Sequence, residues 1–241
     1  MLQSASLESN TSCDLLRLNE LRAHVRDSND PDAYFRDFEN SLREIPPKLK
    51  QFRDIEAELQ LLDSVAWKHL KAEAVPYLTR RDPHRGWEQL FNILNQAKAY
   101  NFMVSQNHKE VCFVPRVVGQ KTPDLQGRKG PLRVLCEVKT INISKDEASY
   151  RASGQARGVT LALPDGIFRK LKSDMETASE QMRAYDAAAK QILYCIVNFD
   201  DHLHEYADDY RPQLEAYVRD GSDGLLEVVF DIKPAFYSAM A

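Results

Sequence analysis

The chain has 241 residues, 43% of them hydrophobic and 28% charged, a balance that excludes wholesale disorder, a collagen-like repeat and a coiled-coil rod. Its longest purely apolar run is the six residues Ile192–Val197, far short of the ~20 needed to cross a bilayer. The N-terminus lacks the basic start and apolar stretch of a secretory signal, so a cytoplasmic location with no membrane partner is expected. The net charge of −4 hides an uneven distribution: residues 109–172 carry 13 basic and 6 acidic side chains, or +7, and residues 173–241 carry 5 and 14, or −9. A basic island of this kind suits a polyanion-facing surface.

Residues 1–80 read as a helical N-terminal region. Leu15, Leu16, Leu18, Leu21 and Val25 fall mostly on one helical stripe, and Asn29-Asp30-Pro31 supplies a cap and first-turn proline for a second helix through Ile45. Pro46-Pro47 ends that helix, and Phe52, Ile55, Leu59, Leu62, Ala66 and Leu70 mark a third running toward Pro76. A polar break at Thr79–Gly86, with His84 as a linker residue, opens an α/β domain over 81–241. There Trp87, Leu90, Phe91, Leu94 and Ala97 form another helical stripe with Glu88 at its border, and Val111–Val114 reads as a short strand stopped by Pro115. The turn-rich Gly127–Gly130 joins the segment Gly119–Gln126 to a strand over Leu132–Ile143, which predicts an antiparallel hairpin.

Residues 144–163 lack periodicity and read as a long loop. Pro164-Asp165 then opens a helix with apolar positions Phe168, Leu171, Met175, Ala178, Met182 and Tyr185. The run Ile192–Phe199 has the composition of a strand covered on both faces. A helix near Gln213–Val218, a turn at Gly221–Gly224 and a strand over Leu225–Ile232 complete the chain. The spacing of Cys13, Cys112, Cys136 and Cys195 matches no zinc or redox motif, so they read as small hydrophobes of a reducing compartment. His202-x-His204 with Glu205 reads as a solvated loop.

The chemistry concentrates in Pro123-Asp124 and Glu137-Val138-Lys139, on the two arms of the hairpin. Strand alternation projects Glu137 and Lys139 from one face and Val138 from the other, and the neighbouring arm brings Asp124 to the same place. Two carboxylates sharing a site repel unless a cation lies between them, and hard oxygen ligands suit magnesium, with manganese as a substitute. Such an ion, with Lys139 beside it, suits phosphodiester hydrolysis. The plain alternative is a surface ion pair, with Asp124 a turn residue after proline.

The string Phe113-Val-Pro, Lys121-Thr-Pro-Asp-Leu125, Val134-Leu-Cys-Glu-Val-Lys-Thr140, with 12 residues between Asp124 and Glu137, resembles the PD-(D/E)XK nuclease superfamily. With the order helix, three antiparallel strands, helix, strand, the resemblance covers Glu88–Phe199, 112 of the 241 residues. It implies a restriction-endonuclease-like α/β core and a magnesium-dependent endonuclease or other phosphodiesterase acting on nucleic acid, DNA ahead of RNA because the superfamily acts more often on DNA. It further implies that Asp124, Glu137 and the Val138 carbonyl hold the metal, that Lys139 is the catalytic lysine, that Glu88 adds a carboxylate from the first helix and that Gln181 adds an amide from the second. Lys121, Arg128, Lys129, Arg151 and Arg157 flank the site as candidate phosphate contacts. The rival expectations are a non-catalytic nucleic-acid-binding protein with the same fold and a protein-interaction module.

Overall fold

The computed structural model of the chain describes residues 14–26, 33–83, 86–117, 119–142, 161–199, 205–221 and 224–232. They divide into two compact units, one formed by the described residues up to Asn101 and one by those from Phe102 onward.

The first unit is helical: α1 (Leu16–Ala23), α2 (Phe38–Glu44), α3 (Pro46–Gln60), α4 (Ser64–Ala74) with a 3-10 turn at Val75–Tyr77, and most of α5 (Glu88–Ser105). Three expectations are corrected here. Pro46 and Pro47 occupy the first turn of α3 instead of merely ending the helix before it; proline lacks the N–H that a first turn leaves unused. The single helix expected over Phe52–Leu70 is broken at Asp63, whose Oδ1 accepts from the Val65 and Ala66 N–H groups at 2.8 Å each and so caps α4. The helix expected to begin at Pro31 is helical only over Phe38–Glu44 among its described residues.

No side chain caps α1 locally. The buried Glu56 of α3 accepts the main-chain N–H groups of Arg17 and Leu18 at 2.9 Å each, placing a negative charge at the positive end of α1. Tyr34 packs edge-on against Phe35, Phe52, Trp87 and Phe91 at the centre of the unit. The Tyr100 hydroxyl donates to Asp63 and the Asn101 amide to Glu58, at 2.9 and 2.8 Å. These contacts tie α5 to the helical unit as far as its fourth turn, so the division falls inside α5, beyond the polar break at Thr79–Gly86.

The second unit is α/β. Strands β1 (Lys109–Phe113), β2 (Leu125–Lys129), β3 (Leu132–Ile141), β4 (Lys190–Val197) and β5 (Leu226–Ile232) form a five-stranded mixed sheet in the order β1-β2-β3-β4-β5. The first two pairings are antiparallel and the last two parallel. Two helices make the parallel connections, α6 (Asp165–Tyr185) before β4 and α7 (Ala207–Gly221) before β5, as parallel pairing requires.

The hairpin turn sits later than expected. Strand β2 continues through Gly127-Arg128-Lys129, Lys129 pairs with Leu132, and the chain reverses at Gly130 and Pro131 with Gly130 at φ 60°. Gly127 lies within the strand at a tight spot: a Cβ there would stand 3.2 Å from Met103 Cε and 3.3 Å from the Lys109 carbonyl oxygen.

Leu135 and Ile141 of β3, with Leu193, Cys195 and Val197 of β4, pack against Leu171, Ala178 and Met182 of α6 and Tyr210 and Leu214 of α7. Strand β4 is buried along nearly its whole length, as its composition predicts. Cys112, Cys136 and Cys195 are free thiols, the last two buried. No helix among the described residues is long and apolar enough to cross a membrane.

Candidate metal and catalytic site

The β2–β3 ladder ends with Leu125 paired to Cys136. One residue further the same register sets Asp124 across from Glu137, and directly opposed residues of an antiparallel pair share a face. Proline at 123 has no N–H to offer the Val138 carbonyl opposite it, which ends the regular ladder, and the Val138 N–H turns to a side chain instead. Asp124 Oδ2 accepts it at 2.8 Å. The Asp124 carbonyl meanwhile accepts the Val114 N–H at 3.0 Å, so both main chain and carboxylate of Asp124 are held in place.

Glu137 and Lys139 stand two apart on one face of β3. Lys139 Nζ donates to Glu137 Oε1 at 2.7 Å. Gln181 of α6 donates its Nε2 to the other oxygen, Oε2, at 2.8 Å, and also to the Thr122 carbonyl at 2.7 Å. One amide thereby joins α6, β3 and the segment leading into β2. Gln181 reaches that position because its neighbours Ala178 and Met182 are fully buried in the α6–sheet interface.

Burial sets the electrostatics. Glu137 is only 4% exposed. Desolvation first, and the Glu137 charge second, push the Asp124 pKa up to about 7 against the opposing pull of the Val138 N–H, Lys139 and Arg116. Glu137 is also raised, because burial outweighs the charge and hydrogen bond of Lys139. Lys139 moves up as well: burial lowers it, but the charges of Glu137, Asp124 and Asp174 together prevail. Burial thus raises both carboxylates, and for Asp124 the charge of Glu137 adds to it, the pattern of two acidic groups that share one site.

Among the described residues no group of three or more His, Cys, Asp or Glu side chains gathers as a metal cage. The donors that converge are two carboxylates and one strand backbone. A strand residue directs its N–H and C=O toward the same neighbour, so the Val138 carbonyl faces the side on which Asp124 sits. Two carboxylates, a carbonyl and otherwise water make a hard-oxygen set that fits magnesium, which keeps several waters, better than zinc or calcium.

Of the residues expected at the site, Asp124, Glu137, Lys139 and Gln181 come together, with Val138 contributing its backbone. Glu88 opens α5 in the helical unit. Arg128 is exposed and, four residues from Asp124 in the same strand, shares its face; Lys129, also exposed, falls on the other face. Lys121 is exposed in the segment before Pro123. Arg151 and Arg157 lie outside the described residues, as do His84, His202 and His204.

Two groups were not anticipated. Exposed Arg116 favours the ionised forms of both carboxylates. Asp174, 6% exposed on α6, pairs with Lys170 through Oδ1 and helps hold Lys139 in its charged form, while its Oδ2 has no hydrogen-bond partner among the described residues. The signal for Asp174 was available: it lies three residues after Leu171 and four before Ala178, a charge in the apolar stripe of an amphipathic helix. Comparison with protein-family models, with curated proteins and with solved structures returned no match.

Proposed function

We propose that the chain is a magnesium-dependent nuclease that hydrolyses phosphodiester bonds in nucleic acid, DNA ahead of RNA, on a restriction-endonuclease-like core of the PD-(D/E)XK type. The observation that carries this reading is the juxtaposition of Asp124 opposite Glu137 in register, with Lys139 and Gln181 each engaging one Glu137 oxygen. The element order supports it: α5, three antiparallel strands, α6, then a parallel strand.

Asp124, Glu137 and the Val138 carbonyl would hold the ion. When bound, magnesium lowers the pKa of a water and neutralises charge growing on a phosphate oxygen. The chain's own groups do the rest. The Val138 N–H keeps the Asp124 carboxylate turned toward β3, and Gln181 fixes the rotamer of Glu137. Hydrolysis joins a water oxygen to phosphorus as the bridging P–O bond breaks and the leaving oxygen gains a proton. Lys139, ion-paired with Glu137 Oε1 at 2.7 Å, would bring positive charge to the reacting phosphate.

The test is purified protein incubated with plasmid, linear and single-stranded substrates in magnesium, manganese or a chelator, alongside Lys139→Met. The wild type cleaves with either metal and not with the chelator. Lys139→Met keeps an unbranched apolar stem and loses the charge, so single-turnover cleavage falls by ~100-fold or more while substrate affinity changes little, the pattern of a group that acts as the transition state forms. Equal rates in the two proteins overturn the assignment of Lys139, and binding without cleavage by either puts the non-catalytic reading in its place.

A further inference from the structure

The antiparallel register lines up three cations. Lys109 of β1 pairs with Arg128 of β2, and Arg128 with Arg133 of β3. Like charges directly opposite one another destabilise a sheet. Arg133 is partly compensated, lying 3.4 Å from Asp186 and over the Tyr185 ring at 5.1 Å. Arg128 donates only to the Pro131 carbonyl at 3.3 Å, and neither it nor exposed Lys109 pairs with a carboxylate among the described residues.

The row is produced by an irregularity. Cys112 pairs with Gln126 and Phe113 with Leu125, but the register shifts by one residue before Lys109. A regular ladder carried back from Cys112 would set Glu110, not Lys109, opposite Arg128, a favourable pair of opposite charges. A bulge in β1 instead leaves Glu110 out of register at φ 54°, a left-handed conformation that side chains other than glycine and asparagine seldom adopt. The strand thus accepts backbone strain and exchanges an attractive pair for a repulsive one, an arrangement that makes sense when an anion lies across the row.

The row shares a face with the carboxylates. Arg128, Gln126 and Asp124 alternate along β2 on the side that carries Glu137 and Lys139 of β3. On this face the apolar cluster takes its strand members from β3, β4 and β5, whereas Lys109, Cys112, Gln126 and Arg128 are exposed or half-buried. Four residues of strand separate Arg128 from Asp124, ~14 Å at about 3.4 Å each, the axial length of roughly four nucleotides of a duplex strand.

We infer that Lys109, Arg128 and Arg133 form a phosphate-binding subsite that holds the substrate's backbone about four nucleotides from the bond cut at Asp124 and Glu137, with the strand lying along β2. The inference rests on the nuclease reading and adds the path of the substrate. The test is fluorescence anisotropy of oligothymidylates of ~4 and ~12 nucleotides in a chelator over a range of salt, so no turnover is needed, with single-turnover cleavage run in parallel.

Lys109→Glu supplies the carboxylate that the bulge removed. It keeps or raises the Tm, yet weakens the longer oligonucleotide by about tenfold or more and flattens its salt slope by at least ~0.7, the value of one phosphate contact on a single strand. Lys109→Gln does the same more mildly and guards against misfolding of the first variant. Arg128→Lys, which keeps the charge, binds within about threefold of wild type. If Lys109→Glu and Lys109→Gln bind the longer oligonucleotide with unchanged affinity and slope while the wild type cleaves, the subsite is wrong and the nuclease reading stands. If the wild type neither binds nor cleaves, both fall together.

Discussion

Asp124 carries an energetic penalty that its ligand would remove. Its folded pKa of about 7 lies above the ordinary aspartate value, so between about pH 4 and pH 7 the folded state binds more protons than the unfolded one. Stability from this group is then greatest below the unfolded pKa and is lost as pH rises through the folded value. Raised Glu137 acts with the same sign. In a chelator, Asp124→Asn, which still accepts the Val138 N–H, is therefore more stable than wild type near pH 8 by on the order of 1–3 kcal/mol, and the gain shrinks toward pH 4. Urea unfolding at the two pH values checks this; an asparagine variant less stable near pH 8 would show that the carboxylates do not repel. Calorimetry on the same variant should find magnesium binding weakened, and in the wild type near pH 6 binding should release protons from the pair. The site was legible at this scale because strand alternation alone places Glu137 beside Lys139. Asp174 and Arg133 were not picked out, although one sits in an apolar stripe and the other two residues before Leu135 on the same strand face.

The helix–helix junction at Asp63 shows what periodicity conceals. Leu59, Leu62, Ala66 and Leu70 continue one apolar stripe through the break, since both helices bury the same side, and only the capping geometry of Asp63 marks where one ends. Hydrogen bonds from the Ala66 N–H, the Tyr100 hydroxyl and the Val65 N–H hold its carboxyl below the usual range against the effect of burial. Asp63→Ala costs about 1–2 kcal/mol at neutral pH, read from the urea midpoint. A depressed carboxylate contributes stability above its unfolded pKa and loses it as pH falls through the folded value, so the deficit of the alanine variant narrows in acid. The hairpin, α6 and β4 were readable because long periodic runs carry their own evidence. The β1 bulge was not, since the register shift is set against the partner strand, which leaves no local signature.

Across the second unit the charges are sorted by the sheet. Its antiparallel strands bear Lys109, Arg128, Lys129, Arg133 and Lys139 against Glu110 and Glu137, while α7 and β5 at the other end of the strand order carry Asp208, Asp209, Glu215, Asp220, Glu227 and Asp231 against Arg211 and Arg219. On the nuclease reading the antiparallel edge is where a chain of net charge −4 would meet a polyanion, with an affinity that should fall steeply with salt as counterions are released. Arg128→Glu should weaken that binding by about tenfold, and Lys129→Glu, on the opposite face, by clearly less; equal effects would place the nucleic acid across both faces. Strand order simply follows chain order; what no local signal states is that β5 pairs with β4 and joins the same sheet. The Gln181 amide has a consequence in time. The Val138–Asp124 bond closes 14 residues of chain, whereas the Gln181–Glu137 bond closes 44, at about 1 kcal/mol more loop-closure entropy. Contacts close in sequence cost less loop entropy to form. On the nuclease reading the hairpin is therefore expected to unite the carboxylates before α6 docks, so that in refolding followed by both readouts metal affinity would recover ahead of cleavage.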